Sequence, residues 1–592
     1  MKTIPAIVFT LGLFAAVAYA QPTIGGITNA ASYSLSPLPS SSIAQGSFFA
    51  IFGTGLGPAT AAVWKPYPIL TTLGGSTVNV TVGGTTVQAL LYFTSAGQIN
   101  AVMPSGTNTG TGTLSVTYSG QTSATVPITV VASSFGAFTL NQAGSGPAII
   151  TDANFVENSL THTAKPGQAM ILWGTGLGAA PDPSTEATAA PCPAGCDLRG
   201  PNLSVTVWVG SQQATIAYAG RAPGFTAEDE IVFTLPSSNA QGCYVQVAVQ
   251  SGPPGGTQVV SNFTSVAVDP TGPTCSDPDG VNVSDISAAL ASKGSANVAA
   301  ISLLSNFLNL NIAALDTDLQ WDNDTVEANV GTLKSSVLYE SQGFTLSPSA
   351  NSCTVSGFRG YPPPSDPALA LETYLDAGAS LKVTGPNGTQ SVAKNANGNG
   401  YGGLVGGSTI SELLSTGGLA PFYLSSTYGI SSGTYTVTAP GGTAVGGFTA
   451  TIDVSSSAAA FQWTNQKAVA TSAIDRSQPL TITWTGGDPD GFVDITAIGS
   501  TATAVSGPVT GANGTPGALV ECLVSANAGT FTIPSFVLSA LPNTQASGSV
   551  IPPGELLVGP ASGAVKVSPT PSGLDAAYIF YHFIQGVNVG WK

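Results

Sequence analysis

Through much of the chain apolar and polar residues alternate one by one. Val78, Val80 and Val82 are spaced by Asn79 and Thr81, and Leu114, Val116 and Tyr118 by Ser115 and Thr117. A period of two places one face of a strand on a core and the other in solvent. Gly, Pro, Asn and Ser interrupt at short intervals with no helical stretch between, a rhythm that predicts antiparallel β-sandwiches. The strand pattern returns late in the chain, where Tyr435 and Val437 alternate with threonines, Ala439-Pro440-Gly441-Gly442 turns, and Phe448 to Val454 reads as the partner strand. Leu480 to Trp484 opens another strand-rich segment that runs to Lys592. Between these regions, from Ser284 to Val337, the period changes: Val298, Ile301, Leu304 and Leu308 fall at helical spacing, with Ser295 or Asn297 as the cap. A second helix is expected from Asp366, with Pro367 in its first turn, to Gly378, and a third over Thr409 to Leu414, where Thr409 and Glu412 make a capping box. Pro362-Pro363-Pro364 and Asn395 to Gly407 read as loops.

The first half repeats itself. Ile51-Phe52-Gly53-Thr54-Gly55-Leu56-Gly57 recurs as Leu172-Trp173-Gly174-Thr175-Gly176-Leu177-Gly178, an offset of 121. Val78 to Gly83 then matches Val205 to Gly210, Tyr92 matches Tyr218, and Ile99 to Pro104 matches Ile231 to Pro236, with offsets of 127, 126 and 132. Order kept while spacing drifts is how two copies of one domain diverge, because loops tolerate insertion and strands do not.

A strand ending in Gly-Thr-Gly-Leu-Gly, a Val-x-Val-x-Val-Gly strand and an Ile strand closed by Pro resemble the IPT/TIG immunoglobulin-like domain over roughly residues 24–268. Asn29-Ala30-Ala31-Ser32, together with Gly97-Gln98-Ile99-Asn100-Ala101-Val102-Met103-Pro104, is more closely similar to the tail domain of large secreted proteins of soil acidobacteria. The resemblance implies a sandwich used in extracellular architecture and binding, and no catalytic residue. In the second copy Glu230-Ile231 replaces Gln98-Ile99. The expected fold is mainly β: tandem immunoglobulin-like β-sandwich domains with a central helix-containing α+β unit.

Lys2, the apolar run Ile4 to Val17 and Ala18-Tyr19-Ala20 before Gln21 read as a signal peptide cleaved near Ala20. The expected division is 1–20 signal peptide, 21–132 and 133–268 the two sandwiches, 269–378 the helix-containing unit, 379–456 a β-rich domain and 457–592 a C-terminal sandwich-like domain, with Asp269 to Pro273 as a linker. No later run is long and apolar enough to span a bilayer, so a secreted or cell-surface protein is expected. Its six cysteines then favour disulfides, in any of fifteen connectivities. Cys192 with Cys196 would close a small loop, and Cys275 with Cys353 would bracket the helical stretch. Zinc at Cys192 and Cys196 lacks a second pair of ligands.

Only 7% of the 592 residues are charged, 14 Lys and Arg against 30 Asp and Glu, and the net charge of −16 reflects scarcity of base. With no basic cluster, nucleic acid is excluded as a partner. The Gly-Thr-Gly-Leu-Gly runs lack the following helix that a phosphate loop needs and read as turns. Gly429-Ile430-Ser431-Ser432-Gly433 matches a nucleophile-elbow pattern with His582 downstream, but strand-like Thr434 to Val437 follows where a helix is required, so a hairpin turn is expected. Asp277, Asp279 and Asp285 resemble half of a calcium loop; in that register positions one and twelve fall on Cys275 and Ile286, which are not carboxylates. Asp488, Asp490 and Asp494 form a second oxygen-rich turn. These six aspartates are the candidate metal ligands, for calcium. Asp322 with Asp324 is a further short acidic loop, and Glu228-Asp229-Glu230, the densest acidic group, reads as a loop edge. Trp64, Tyr67, Trp208 and Trp463 are candidates for stacking on sugar rings, with Trp208 on the outward side of its strand. The reading is a binding, adhesion or scaffolding protein with a carbohydrate or surface-protein ligand and no catalysis. Its rival is a secreted polysaccharide-active enzyme whose site lies within 270–430.

Overall fold

The structure, a computed structural model, describes residues 21–34, 38, 41–65, 67–188, 198, 203–238, 241–277, 282–312, 317–334, 348–359, 371–407, 430–470, 473–500, 516–544 and 554–592. The expected signal peptide, the expected loops at Cys192–Cys196 and Pro362–Pro364, the expected helix at Thr409–Leu414, Asp279 and Gly429 lie outside these residues.

Where one face alternates, a sandwich forms. In Ser76–Val82 every second residue is buried, and Val78 and Val80 pair with Val116 and Leu114 of Gly110–Tyr118. That sheet runs Ile43–Ala44, Val126–Val131, Gly110–Tyr118, Ser76–Val82, Thr72–Leu73; the sheet facing it runs Thr23–Asn29, Phe48–Thr54, Gln98–Val102, Leu90–Thr94, Ala62–Val63. Phe49, Ile51, Val80, Ile99 and Val116 fill the space between them.

The second copy repeats the order of the central strands and differs at the sheet edges. Gly136–Ala137, Ala169–Thr175, Asp229–Thr234 and Thr215–Arg221 make one sheet, and Gly146–Pro147, Thr264–Val268, Gly242–Gly252, Ser204–Val209 and Gln212–Gln213 the other. Each copy also opens its second sheet with a short parallel strand, Ile43–Ala44 on Val130–Val131 and Gly146–Pro147 on Thr264–Ser265. The structure corrects one residue match. Both copies carry a β-bulge, between Leu91 and Phe93 and between Ile216 and Tyr218, so Tyr218 is equivalent to Phe93, and the bulged Tyr92 to Ala217. The Asp269 to Pro273 segment is held as a turn, its Asp269 side chain accepting from Thr271 N and Gly272 N while Lys165 Nζ donates to the Asp269 and Gly272 carbonyls.

The central region departs from the helical expectation. Ser295–Ile312 is an 18-residue strand, antiparallel to Thr317–Lys334 and parallel to Ala576–Val589. Its apolar residues are nearly continuous because both faces are covered. Ala296, Val298 and Ala300 pack with Ile286, Ala289 and Leu290, while Ala299, Ile301 and Leu303 join Val383, Val437 and Ile452 on the other side. A strand buried on both faces loses its alternation, and chance spacings then read as helical. The helix lies upstream, at Ser284–Lys293, and ends at Gly294, whose φ of 69° is the left-handed stop. The expected helix from Asp366 is described only from 371, where Thr373–Tyr374 is a short strand, and the expected loop Asn395 to Gly407 includes the strand Tyr401–Gly407.

One ten-stranded sheet draws on segments from 295 to 589, in the order Ser352–Arg359, Pro516–Ser525, Phe492–Ser500, Gly554–Ala561, Ala576–Val589, Ser295–Ile312, Thr317–Lys334, Thr373–Tyr374, with Tyr401–Gly407 and Val565–Lys566 paired beside it. It crosses the expected divisions at 378 and 456. A four-stranded sheet of Gly388–Ala393, Ser380–Gly385, Gly433–Ala439 and Phe448–Val454 and a three-stranded one of Gln462–Trp463, Leu480–Thr485 and Thr530–Ile533 complete the described part. Among the described residues the disulfides are Cys243–Cys275 and Cys353–Cys522. Cys275 and Cys353 therefore do not pair. Cys353 lies directly opposite Cys522 on neighbouring strands, and Cys275 reaches back to the second sandwich.

Candidate binding surface

The Gly-Thr-Gly-Leu-Gly turn of the second copy does hold an anion, and the anion is internal. Asp229 is 1% exposed, its Oδ2 accepting from Gly176 N at 2.7 Å and Leu177 N at 2.8 Å and its Oδ1 lying 3.0 Å from Arg221 Nη1. Arg221 Nη2 donates onward to the Gly178 carbonyl at 3.1 Å. Burial pushes the Asp229 carboxyl up, and Arg221 with the two amides pulls it back in part. Glu228 is raised by burial and by the negative charge of Asp229 and Glu230, and Glu230 by burial. The expected loop edge is thus a strand start, with its middle carboxylate turned inward. In the first copy the same turn needs no carboxylate, since Leu56 N donates to the Ala96 carbonyl.

The same cluster fastens the two sandwiches together. Gly46 of the first copy has φ 67°, and a Cβ there would lie 2.7 Å from the Gly178 carbonyl oxygen and 2.8 Å from Arg221 Nη2. Phe48 N donates to Thr175 Oγ1 at 2.9 Å, Ser105 donates through N and Oγ to the Glu186 carboxylate at 3.0 and 2.6 Å, and Ile69 N donates to the Ala187 carbonyl at 2.8 Å. Further along, Trp208 stacks on Phe536 at 4.3 Å and 13°, joining the second sandwich to the C-terminal region. Trp208 is thereby spent on packing, and Trp463 is 5% exposed in that region's core.

Trp64 and Tyr67 instead belong to an aromatic surface. On the outer face of the first copy's five-stranded sheet, Trp64 lies 4.3 Å from Tyr67 and 5.4 Å from Tyr92, and Tyr92 meets Phe48 edge-on at 5.4 Å. Tyr33 covers Phe52 at 6.5 Å. Phe52 pairs across the strands with Gln98 and Ala50 with Asn100, and Gln98 Nε2 donates to Asn100 Oδ1 at 2.8 Å. Tyr67 and Tyr92 are 38% and 36% exposed, while Phe48, Phe52, Gln98 and Asn100 are half-buried. The second copy repeats one part: Phe155 covers Trp173 at 6.2 Å, and both covering rings sit at positive φ, 50° at Tyr33 and 60° at Phe155. Asn29 and Asp152 set these turns by accepting backbone N–H bonds with Oδ1. Left-handed backbone at a bulky residue is strained and marks a place to look for function. Phe48, Phe52, Tyr92, Gln98 and Asn100 were missed as site candidates. Alternation around buried Phe49 and Ile51 puts Phe48 and Phe52 outward and could have found them.

Asp279 lies outside the described residues, and the other five candidate calcium ligands do not converge on one position. Asp277 accepts from Cys243 N at 2.6 Å beside the disulfide. Asp285 pairs with Lys566 at 2.6 Å and accepts from Tyr578 Oη; burial opposes its charge, but these partners hold its pKa below the usual range. Asp488 accepts from Asp490 N and from Tyr581 Oη, whose pKa is pushed up by burial and by Asp488. Asp494, on Phe492–Ser500, lies 2.8 Å from His582 Nε2. Asp322 and Asp324 lie not in a loop but on the strand Thr317–Lys334. Among the described residues no three His, Cys, Asp or Glu side chains converge on a metal position. Gly433 opens the strand Gly433–Ala439, so no helix follows the Ser431 turn.

Paired sheets of this order, closed over a Val-rich core, are an immunoglobulin-like sandwich. Residues 31–130 are an IPT/TIG domain. The aromatic face therefore lies on the TIG domain. No curated protein matches the sequence. Among solved structures the chain is similar to the plexin A4 extracellular region (16% identity, 44% of this chain and 20% of that one, TM-score 0.16) and to titin Ig tandem domains A164–A165 (9%, 38% and 90%, TM-score 0.11). It is also similar to domains 4–9 of the surface layer protein SbsC (10%, 95% and 65%, TM-score 0.17). The chain spans a fifth of the plexin region's length. No helix among the described residues is long and apolar enough to cross a membrane.

Proposed function

We propose that this is a secreted or cell-surface binding and scaffolding protein that presents immunoglobulin-like sandwiches to a carbohydrate or surface-protein ligand, with no catalytic role. The observation behind this is the junction: Phe48, Ile69 and Ser105 of the TIG domain bond Thr175, Ala187 and Glu186 of the next sandwich, so an aromatic surface is held out on a stiff support. Rigid display lowers the ordering cost of binding. Two disulfides suit an oxidising exterior, with the signal peptide removed near Ala20. In this reading residues 21–132 and 133–268 are two related units, and the first is of the acidobacterial tail-domain type. The test is co-sedimentation of the purified full chain with whole cells and with insoluble polysaccharides, in calcium and in chelator. Retention on either surface is expected; loss of retention in chelator would assign calcium to the acidic turns. Failure to bind any surface in both conditions contradicts the proposal.

A further inference from the structure

We propose that the outer face of the TIG domain's five-stranded sheet binds an uncharged glycan chain, with Tyr92, Trp64 and Tyr67 stacking on sugar rings and Gln98 and Asn100 bonding their hydroxyls. This rests on the binding reading above and names its site and ligand class. The β-bulge after Leu91 is the device that builds it. By inserting one residue it throws Tyr92 outward from a strand whose Leu91 and Thr94 stay buried. Trp64 N donates to the Tyr92 carbonyl at 2.9 Å, which sets the indole beside the phenol.

The chemistry of the face selects the ligand. Aromatic faces carry a negative quadrupole that attracts the weakly positive C–H groups on one side of a sugar ring, and rigid Tyr and Trp side chains lose little entropy on contact. Between the rings the Gln98–Asn100 bond orients both amides and leaves the Gln98 oxygen, its second N–H and the Asn100 amino group to serve as acceptor and donors. Outward positions on the central strands, Phe48, Ala50, Phe52, Gln98, Asn100 and Tyr92, include no charge, in a chain of net charge −16. A neutral polyhydroxylated chain complements that face, whereas a polyanion would meet a single lysine, Lys65 next to Trp64, in a chain of net charge −16.

The second sandwich acts as an internal comparison. It keeps the fold and the bulge but has Ala169 for Phe48, Ala217 for Tyr92, Glu230 for Gln98 and Val232 for Asn100. The stacking phenol and the amide pair are both gone while the core-facing residues stay apolar. The set in the first copy is therefore not something the sandwich needs in order to fold.

The test is affinity electrophoresis of the full chain through gels holding xylan, galactomannan, mixed-linkage β-glucan or polygalacturonate, repeated with Tyr92→Ala, Gln98→Ala and, as control, Phe155→Ala. Retardation by at least one neutral polysaccharide is expected. Tyr92→Ala should weaken it roughly tenfold, about 1.4 kcal/mol, Gln98→Ala should weaken it too, and Phe155→Ala should leave it unchanged. Thermal unfolding of each variant at the wild-type temperature shows that the loss is not unfolding. Neutral-glycan binding that survives both face substitutions overturns the site but leaves the binding reading intact. Retention on cells with no retardation by any neutral glycan, or a Tyr92-dependent retention that protease treatment of the cells abolishes, overturns the ligand class alone. Binding to nothing overturns both.

Discussion

Replacing Asp229 by Asn changes one atom and should unfasten the second sandwich's Gly-Thr-Gly-Leu-Gly turn. The carboxylate gives one oxygen to the two amides of Gly176 and Leu177 and the other to Arg221. Asparagine has a single acceptor oxygen. If it faces the amides, its NH2 confronts the guanidinium; if it faces Arg221, its NH2 confronts two N–H donors. Arg221 is buried as well, with its side chain 9% exposed. Breaking a buried pair from one side costs on the order of 3–5 kcal/mol because the remaining charge is left uncompensated. At about 1.4 kcal/mol per factor of ten, opening of the turn should become roughly two to nearly four powers of ten more frequent. A chain of several sandwiches does not meet the two-state condition that a single unfolding free energy requires. Hydrogen exchange read at peptides covering 169–178 and 229–235 isolates the site. The double variant Asp229→Leu/Arg221→Met should recover only part of the loss, since Gly176 and Leu177 still lack an acceptor. Exchange at these peptides within about threefold of wild type, under 1 kcal/mol, would mean that the carboxylate does not hold the turn.

Other consequences are open to direct measurement. Burial raises Glu228 above its ordinary 4.5, so between that value and its folded pKa the folded state holds the extra proton and stability falls as pH rises. Melting temperature should therefore drop from pH 4.5 towards neutrality, and Glu228→Gln should flatten that slope; an unchanged slope contradicts the assignment. Asp376, held at about 2 chiefly by the Thr443 amide and then by Lys394, acts in the opposite sense, its contribution being lost only as pH falls below 3.8. Gly46→Ala would force a side chain at positive φ against the Gly178 carbonyl and Arg221. Small-angle scattering should then show a broader distribution of distances between the sandwiches. Replacing Cys353 and Cys522 by Ala removes a link across 169 residues, for which chain entropy gives an upper figure of about 5 kcal/mol. Melting of the C-terminal region should fall while the TIG domain's transition stays in place.

The sandwiches were legible because each strand has one buried face. Val78, Val80 and Val82 carry that signal directly, and the recurring Gly-Thr-Gly-Leu-Gly turn reveals the duplication. Ser295–Ile312 was not legible because its neighbours bury both faces, leaving no alternation to read. The bulge at Tyr92 was hidden for another reason: one inserted residue shifts a sequence match by one position, and only strand register shows that Phe93 faces Asn100. Asp229 looked like one of three surface acids, since nothing local tells that Arg221, eight residues earlier in the sequence, will meet it inside. Disulfide pairing was equally closed, because Cys353 and Cys522 become neighbours only through the register of two distant strands. Trp64 and Tyr67 could be named from residue type, but their partner Tyr92 and the amides beside it depend on the sheet.

Differential hydrogen exchange of the full chain, free and saturated with a neutral polysaccharide that retards it, tests most directly that the TIG domain's outer face does the binding. Protection is predicted in peptides covering 48–52, 62–67 and 90–100, with the equivalent strands at 169–173 and 215–232 unchanged. Protection confined to the second sandwich or to residues 295–589, with the 48–100 peptides unaltered, would contradict it.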